Sequence, residues 1–490
     1  MIAMRPPEVF DREHEWEVLA SFAGDPRLPR LGIVSGRRRQ GKSFLLRRLC
    51  SVATVRGSYA LAQEQTRQLA LEMLADSLGR QLGIPAAVRF PGWDDALRFF
   101  FQQAAGRLIV IDEFPFLLRH SPELPSVIQS LYDEARNDPA APSPRLILCG
   151  SALSVMTELL SGQKPLRGRA VLDMSLRPFD FRDARRFWEI EDLDVAFRTH
   201  AIFGGTPGYR DLIEVAPPDA VAGLPAWLGR VFQPSGAMLS EAEYLLREDP
   251  RITDRALYQS VLTAISRGAG TPARISNVLA RPDRSLAHPL TVLAGGGLIR
   301  HDEDMLRQRG GQFRLTDPIV RFSELVLNPR RGEFEERRGE QAIHDAEHTI
   351  SAQILGPHFE VLAREWTARF ASGEGLDDAP GPVGTSTISD PSGRTQHEVD
   401  VVALARGEVP SRREARVVLL GEAKGTNKPR GMADLYRLEH IRGLLTAQGT
   451  DAAASMLSIF SRSGFDRDLR RAAQARRDVL LIDLAGLYGA

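Results

Sequence analysis

The chain has 490 residues, 43% of them apolar, which is too long for one ordinary core and enough for about three domains at ~150 residues each. Lysine plus arginine number 63 and aspartate plus glutamate 63, so net charge points to neither nucleic acid nor membrane, and any electrostatic partner must be met by a local patch. The only cysteines, Cys50 and Cys149, sit in apolar surroundings and read as buried free thiols, which excludes a disulfide framework.

The opening MIAMRPPEVFDREHE has no long apolar run, and nowhere does an apolar run approach ~18 residues. No membrane span is expected, and a cytoplasmic location is. The first strong pattern is strand, loop, helix. LGIV precedes SGRRRQGKSFLL, in which Gly36, Gly41, Lys42 and Ser43 fit G-x-x-x-x-G-K-[ST], and a leucine-rich helix continues to about Cys50. Glycines let backbone N–H groups turn inward around phosphate oxygens, and the helix points its positive end at the same anion. Gly36, Arg37, Arg38, Arg39, Gln40, Gly41, Lys42 and Ser43 therefore form the expected ATP loop. Lys42 would reach the β- and γ-phosphates and the Ser43 hydroxyl would ligate Mg²⁺. The three consecutive arginines crowd this turn, with solvent open to their side chains.

RLIVIDEF, Arg107 to Phe114, is an apolar run ending in two carboxylates. A buried parallel strand reads this way, and ligands gather at its carboxyl end. Asp112 is expected in the Mg²⁺ shell and Glu113 as the base that orients and deprotonates water. RLILCGS ends at Ser151, either a γ-phosphate sensor or a plain strand-end turn. In KPLRGRAV, Arg167 or Arg169 could bring positive charge to a transition state, in cis or from a neighbouring subunit, or could lie in a solvated turn. GGTPGYR, Gly204 to Arg210, is a turn that could bring Pro207 or Arg210 near the nucleotide.

Taken in order, FDREHEWEVL, GRRRQGKS, IDEFPFLL, CGSALSVM, PLRGR and FGGTPGY resemble the prokaryotic AAA+/STAND-related ATPases known as the archaeal-ATPase family. The resemblance implies an αβα sheet, a catalytic glutamate beside the Walker B aspartate, and a small helical lid carrying the G-x-P turn. The three arginines in the loop depart from the family pattern.

Tyr258 to Arg300 reads as short helices, and ISNVLARPDRSLAHPLTVLAGGGLI has the shape of a helix-turn-helix followed by a wing. The resemblance supports a winged helix closed by GGQFRLTDPIVRF. It could bind DNA through Arg281 and Arg284, or it could be a packing module that joins the ATPase to the C-terminal third of the chain. The packing role is preferred, because a fold alone does not give a function. RRGEFEERRGEQ, from Arg330, reads as a solvated helix or linker.

GPHFEVLAREWTARF is amphipathic, with Phe359, Leu362 and Trp366 on one face. SGEGLDDAPGPVGTSTISDPSGRTQ reads as a loop from its Gly, Pro, Ser and Asp content. HEVDVVAL and RVVLLGEAKG are strand-like. Period-two alternation puts Glu398 with Asp400 on one face and Glu422 with Lys424 on another, and a hairpin would bring Asp400 beside Glu422. Asp400 and Glu422 could hold Mg²⁺, Lys424 could position water or stabilise developing charge, and Glu360 could complete the metal shell. This spacing resembles the PD-(D/E)XK nucleases, and the whole chain then resembles an archaeal-ATPase family protein with its nuclease-like C-terminal domain.

The expected fold class is α/β: a P-loop αβα sandwich with helical lid, a winged-helix domain and a C-terminal restriction-endonuclease-like α/β domain. The expected boundaries are 1–190 for the ATPase core, 191–250 for the lid, 251–329 for the winged helix and 330–490 for the nuclease-like domain. Two functions stand: an ATPase whose nucleotide state controls a metal-dependent nuclease acting on DNA, or a nucleotide-dependent switch or DNA-binding interaction protein with an inactive nuclease fold. Homo-oligomerisation through Arg167 or Arg169 is compatible with either.

Overall fold

The apolar runs of the first third of the chain are buried on both faces, as interior parallel strands must be. A computed structural model describes all residues except 1–3, 25–28, 85–87, 105, 139–144, 248 and 377–378. In it β1 (Arg30–Ser35), β2 (Ser58–Leu61), β3 (Leu108–Asp112), β4 (Arg145–Gly150) and β5 (Ala170–Ser175) form one parallel sheet in the order β2-β3-β4-β1-β5. Every residue of β3 and β4 is buried, whereas the edge strand β5 alternates. Alternate strand residues feed two cores: Ile33, Ile109 and Leu148 pack with Trp93, Phe100 and Leu131, while Val34, Val110 and Ile147 pack with Trp16, Leu46 and Leu49. Cys50 and Cys149 are buried and free.

Helices fill the middle of the chain. Arg255–Ser266, Pro272–Leu279 and Ala287–Gly295 are followed by an antiparallel ribbon of β6 (Ile299–Asp302) and β7 (Gln312–Leu315). The charged run from Arg330, read as a solvated helix or linker, forms the helices Arg331–Glu335 and Gly339–Asp345 with most side chains exposed, but it also buries Phe334. The second crosses the Leu224–Val231 helix through a glycine pair. A Cβ on Gly229 would lie 2.6 Å from the Glu340 nitrogen, so only glycine permits this approach. The charges occupy the outer faces, while Phe334 and the glycine pair make the contact the charge pattern did not show.

The last unit begins with the helix Gly356–Arg369. Strands β8 (Val383–Asp390), β9 (Thr395–Leu404) and β10 (Val417–Lys424) form an antiparallel meander. The helix Met432–Ala447 then crosses to β11 (Met456–Ser461), parallel to β10, and Arg467–Gln474 leads to the parallel β12 (Val479–Ile482). Strand β8 corrects the loop reading of 372–396. Its VGTSTISD alternates, with Ser386, Ile388 and Asp390 turned inward, and an edge strand tolerates the flanking Gly and Pro that suggested a loop. Phe359, Leu362 and Trp366 lie inward as expected, but their core is continuous with Phe203, Trp227 and Phe322 of the middle helices. Packing therefore runs straight across the boundary expected near residue 330.

Candidate functional site

The loop from Gly36 to Gly41 leaves the carboxyl end of β1, and the helix Lys42–Ser51 starts behind it. Gly41 has φ 89°, a conformation open to glycine at little cost. At the neighbouring end of β3, the Ser43 hydroxyl donates to Asp112 Oδ2 at 2.5 Å, and the Tyr59 hydroxyl donates to the same oxygen. Asp112 is wholly buried. Burial alone would raise its pKa, but hydrogen bonds from the Cys149 thiol, Ser43, Tyr59 and the Glu113 amide outweigh it and hold the carboxyl below its ordinary value. Sequence reasoning gave Asp112 and Ser43 but not Tyr59 or Cys149, which come from adjacent strands with no motif to mark them.

Lys42 is buried and its ammonium donates to the Arg37 carbonyl at 2.9 Å. Glu113 has left-handed backbone, φ 52°, a conformation costing a non-glycine residue on the order of 1 kcal/mol. Its carboxylate accepts from the Ser151 hydroxyl at 3.1 Å and the Ser151 amide at 3.4 Å. Ser151 thus meets Glu113 directly, a third possibility beside the phosphate sensor and the plain turn.

The loop arginines correct the solvent-facing expectation at two of three positions. Arg37 pairs with Asp317 at 2.7 Å, and Arg39 makes a bidentate pair with the buried Glu241 at 2.7 and 3.0 Å. Both partners belong to the middle of the chain, so the loop is bolted to it by charge. Arg38 is exposed and Gln40 is buried beneath the loop. The GGTPGYR turn abuts the same place. The Gly208 amide donates to the Arg39 carbonyl at 3.0 Å, and Pro207 lies across from Gly41. Arg210 turns away to Glu189 at 2.8 Å.

For Arg169 the structure corrects the reading in which it acts in cis. It directly precedes β5, whose first residue pairs with Leu31 near the amino end of β1, so it lies at the sheet edge opposite the loop. Its guanidinium is held by both oxygens of Asp133 at 2.8 and 2.7 Å. Arg167 is exposed on the same turn. Neither can reach a nucleotide at the loop of its own chain. Arg281 and Arg284 are exposed between the Pro272–Leu279 and Ala287–Gly295 helices. The turn after the second helix packs on the parallel-sheet unit: a Cβ on Gly297 would lie 3.0 Å from Leu153.

A second cluster forms where β9 and β10 pair. Side-chain alternation holds along β9 to Asp400 and then slips by one residue. Val399 and Val402 both pack toward the Met432–Ala447 helix, and the register with β8 shifts between Gly384 and Ser386. Such a bulge re-aims side chains. It sets Asp400 so that Oδ2 accepts from the Ala423 amide at 2.9 Å and from the Lys424 ammonium at 3.1 Å. Lys424 also meets Glu422 at 2.7 Å, and Glu422 takes an ion pair from Arg437. Burial alone would lower Lys424, but Asp400 and Glu422 hold it above its ordinary value, so it stays charged. Burial, and then the charge of Asp400, raise Glu422. The same two causes push Glu360 on the Gly356–Arg369 helix up to about 7, against opposing Arg364, Arg314 and Lys424. Arg364, one turn along from Glu360, donates to the Asp400 carbonyl at 2.8 Å. Sequence reasoning missed Arg364 and Arg437; the Glu360/Arg364 spacing of one helical turn was the available signal.

Two observations bear on a cation here. Glu422 Oε2 is buried with no hydrogen-bond partner, which fits a metal ligand. Yet Glu360, Asp400 and Glu422 do not close into a three-ligand cluster: among the described residues the only group of three metal-capable side chains within 4.8 Å lies elsewhere.

No protein-family model matches the chain. An uncharacterised protein of Methanocaldococcus jannaschii is 25% identical over 366 residues, covering 73% of this chain and 76% of that one. Among solved structures, a Walker-type ATPase of Pyrococcus abyssi aligns over 66% of this chain and 98% of its own with 20% identity and TM-score 0.46. The Aeropyrum pernix ORC2 protein, with ADPNP and ADP, aligns over 71% and 97% with 16% identity and TM-score 0.41. A STAND protein with a tetratricopeptide repeat sensor from Pyrococcus horikoshii aligns over 75% and 52% with 14% identity and TM-score 0.31. Among the described residues no helix is long and apolar enough to cross a membrane.

Proposed function

We propose that this chain binds and hydrolyses ATP at the 36–43 loop, and that its nucleotide state controls a metal-dependent, nuclease-like centre at Asp400, Glu422 and Lys424 that acts on DNA. The observation carrying the first half is the contact of Ser43 with a charged, buried Asp112, one residue from Glu113. A hydroxyl beside a carboxylate suits Mg²⁺, which when bound there neutralises phosphate charge. Lys42 would exchange the Arg37 carbonyl for phosphate oxygens. Glu113 would accept the proton of the attacking water, and Ser151 would fix the direction of its carboxylate. Arg37 and Arg39 would pass loop movement to Asp317 and Glu241.

The second half rests on Lys424 lying between two carboxylates on a bulged hairpin, beside the orphaned Glu422 oxygen. An all-oxygen donor set suits a hard divalent cation, which when bound polarises a phosphodiester. Lys424 would orient the water and offset developing charge. The order helix, three antiparallel strands, helix, parallel strand supports the PD-(D/E)XK nuclease-like reading. The three helices and ribbon of 255–315 fit a winged helix, used mainly for packing.

The alternative, a nucleotide-dependent switch with a binding-only nuclease fold, is favoured by one feature: Lys424 and Arg437 already pair with carboxylates that stay short of a metal cluster. Mg²⁺- or Mn²⁺-dependent plasmid nicking by wild type and Asp400→Ala separates the two. Nicking that Asp400→Ala abolishes supports the nuclease; its absence in wild type leaves the switch.

A further inference from the structure

Outside both sites, three metal-capable side chains meet at the turn end of the β8–β9 hairpin. Asp390 is the last residue of β8, His397 is in β9, and His440 is on the Met432–Ala447 helix that covers this face. The register explains the meeting. Ile388 pairs with His397 and Asp390 with Thr395, so Ile388, Asp390, His397 and Val399 turn to the side where the helix packs. The ligand atoms of Asp390, His397 and His440 all lie within 4.8 Å of one another.

The spacing is that of ligands around one ion. Asp390 Oδ2 is 3.1 Å from His440 Nε2 and 3.6 Å from His397 Nε2. Tetrahedral zinc, with bonds of about 2.0–2.1 Å to nitrogen and oxygen, sets its ligands ~3.3 Å apart. His397 Nε2 is buried and has no hydrogen-bond partner, because 3.6 Å is beyond hydrogen bonding. The second Asp390 oxygen is fixed by the Gly393 amide at 2.9 Å, which orients the carboxylate. The two imidazole rings stand at 81° with centroids 5.5 Å apart, so they do not stack. The His440 side chain is 52% exposed, which leaves a way in from solvent.

We propose that Asp390, His397 and His440 bind a divalent transition-metal ion, zinc by its donor chemistry, with a fourth position open to water. Two imidazole nitrogens and one carboxylate suit zinc and its neighbours and do not suit Mg²⁺ or Ca²⁺. The site is therefore chemically distinct from the all-oxygen centre at Asp400 and Glu422. The ion staples the edge hairpin to the helix. Because His397 precedes the bulged Asp400 on the same strand, the staple also steadies the strand that carries Asp400.

The full-length chain, stripped with chelator and dialysed against Zn²⁺, tests this by elemental analysis. About one zinc per chain is expected in wild type, with the Co²⁺-substituted protein showing the visible absorption of a tetrahedral site. His440→Ala and Asp390→Asn should each lose the zinc and the cobalt spectrum while keeping wild-type circular dichroism. Asp400→Ala should retain both, and Mg²⁺ should not compete. The proposal is overturned if wild type holds no more zinc than His440→Ala, or if Asp400→Ala loses the zinc instead. His440 is half exposed, so its truncation leaves the core intact and the comparison readable.

Discussion

Glu113 and Asp112 are adjacent carboxylates with different surroundings. Asp112 is sealed by donors that keep it charged, whereas Glu113 sits on a left-handed residue, is only partly buried and is held by Ser151. In the proposed ATPase, one would stay fixed and the other would act. Glu113→Gln keeps the shape and removes the base, so hydrolysis should fall at least ~100-fold while ATP still binds; phosphate release and nucleotide binding measured on one preparation check this. Wild-type turnover would assign the water to another carboxylate. Lys42→Ala should lose hydrolysis and weaken binding together, and unchanged turnover would remove the loop from the site. At this scale the meeting of the Gly36–Ser43 loop with Asp112 was legible from spacing. Arg37 and Arg39 were not, because their partners Asp317 and Glu241 lie some 200 or more residues away, in segments with no motif of their own.

Among elements, the β9 bulge and the glycine helix crossing show where pattern reading fails. Strict alternation is a property of regular strands, and one inserted residue shifts every side chain beyond it. The pairing of Asp400 with Glu422 and Lys424 was legible because the slip falls just after Asp400; Val402 was not. The edge strand β8 was hidden by the turn residues at its ends. The Gly229–Gly339 crossing gives a direct test. Gly229→Ala places a Cβ against backbone, and such overpacking costs about 1–3 kcal/mol. Urea denaturation should show that loss, and an unchanged midpoint would mean the helices are not in contact. At the C-terminal centre, Lys424→Ala should slow any Mg²⁺-dependent nicking while metal binding survives. Loss of metal binding in that variant would make Lys424 structural.

Across the whole molecule, one apolar core joins the middle helices to the last unit, from Phe181 to Tyr488. The continuity of this core was not legible, because each contributing helix looks amphipathic by itself. A buried histidine pair lies on this seam. His200 Nδ1 is 2.9 Å from His358 Nε2. Burial lowers His200 to about 4, and burial with the neighbouring His200 lowers His358 well below its ordinary value. The folded state keeps both neutral, while unfolded histidines take protons below about 6.5. Stability from this pair is therefore present above about 6.5 and lost as pH falls toward 4. Thermal melts at pH 7.5 and 5.0 should show a steeper loss for wild type than for His200→Gln; parallel losses would clear the pair. Arg37 and Arg39 tie the 36–43 loop to this same body, and the proposed control of the C-terminal centre by nucleotide would take this route.

That route is tested most directly by plasmid nicking with the full chain in Mg²⁺, with and without ATP, comparing wild type with Lys42→Ala. Nicking in wild type should change with ATP, and in Lys42→Ala it should not respond. No nicking in any nucleotide state, or an ATP response that survives Lys42→Ala, would contradict control of the C-terminal centre by the ATP loop.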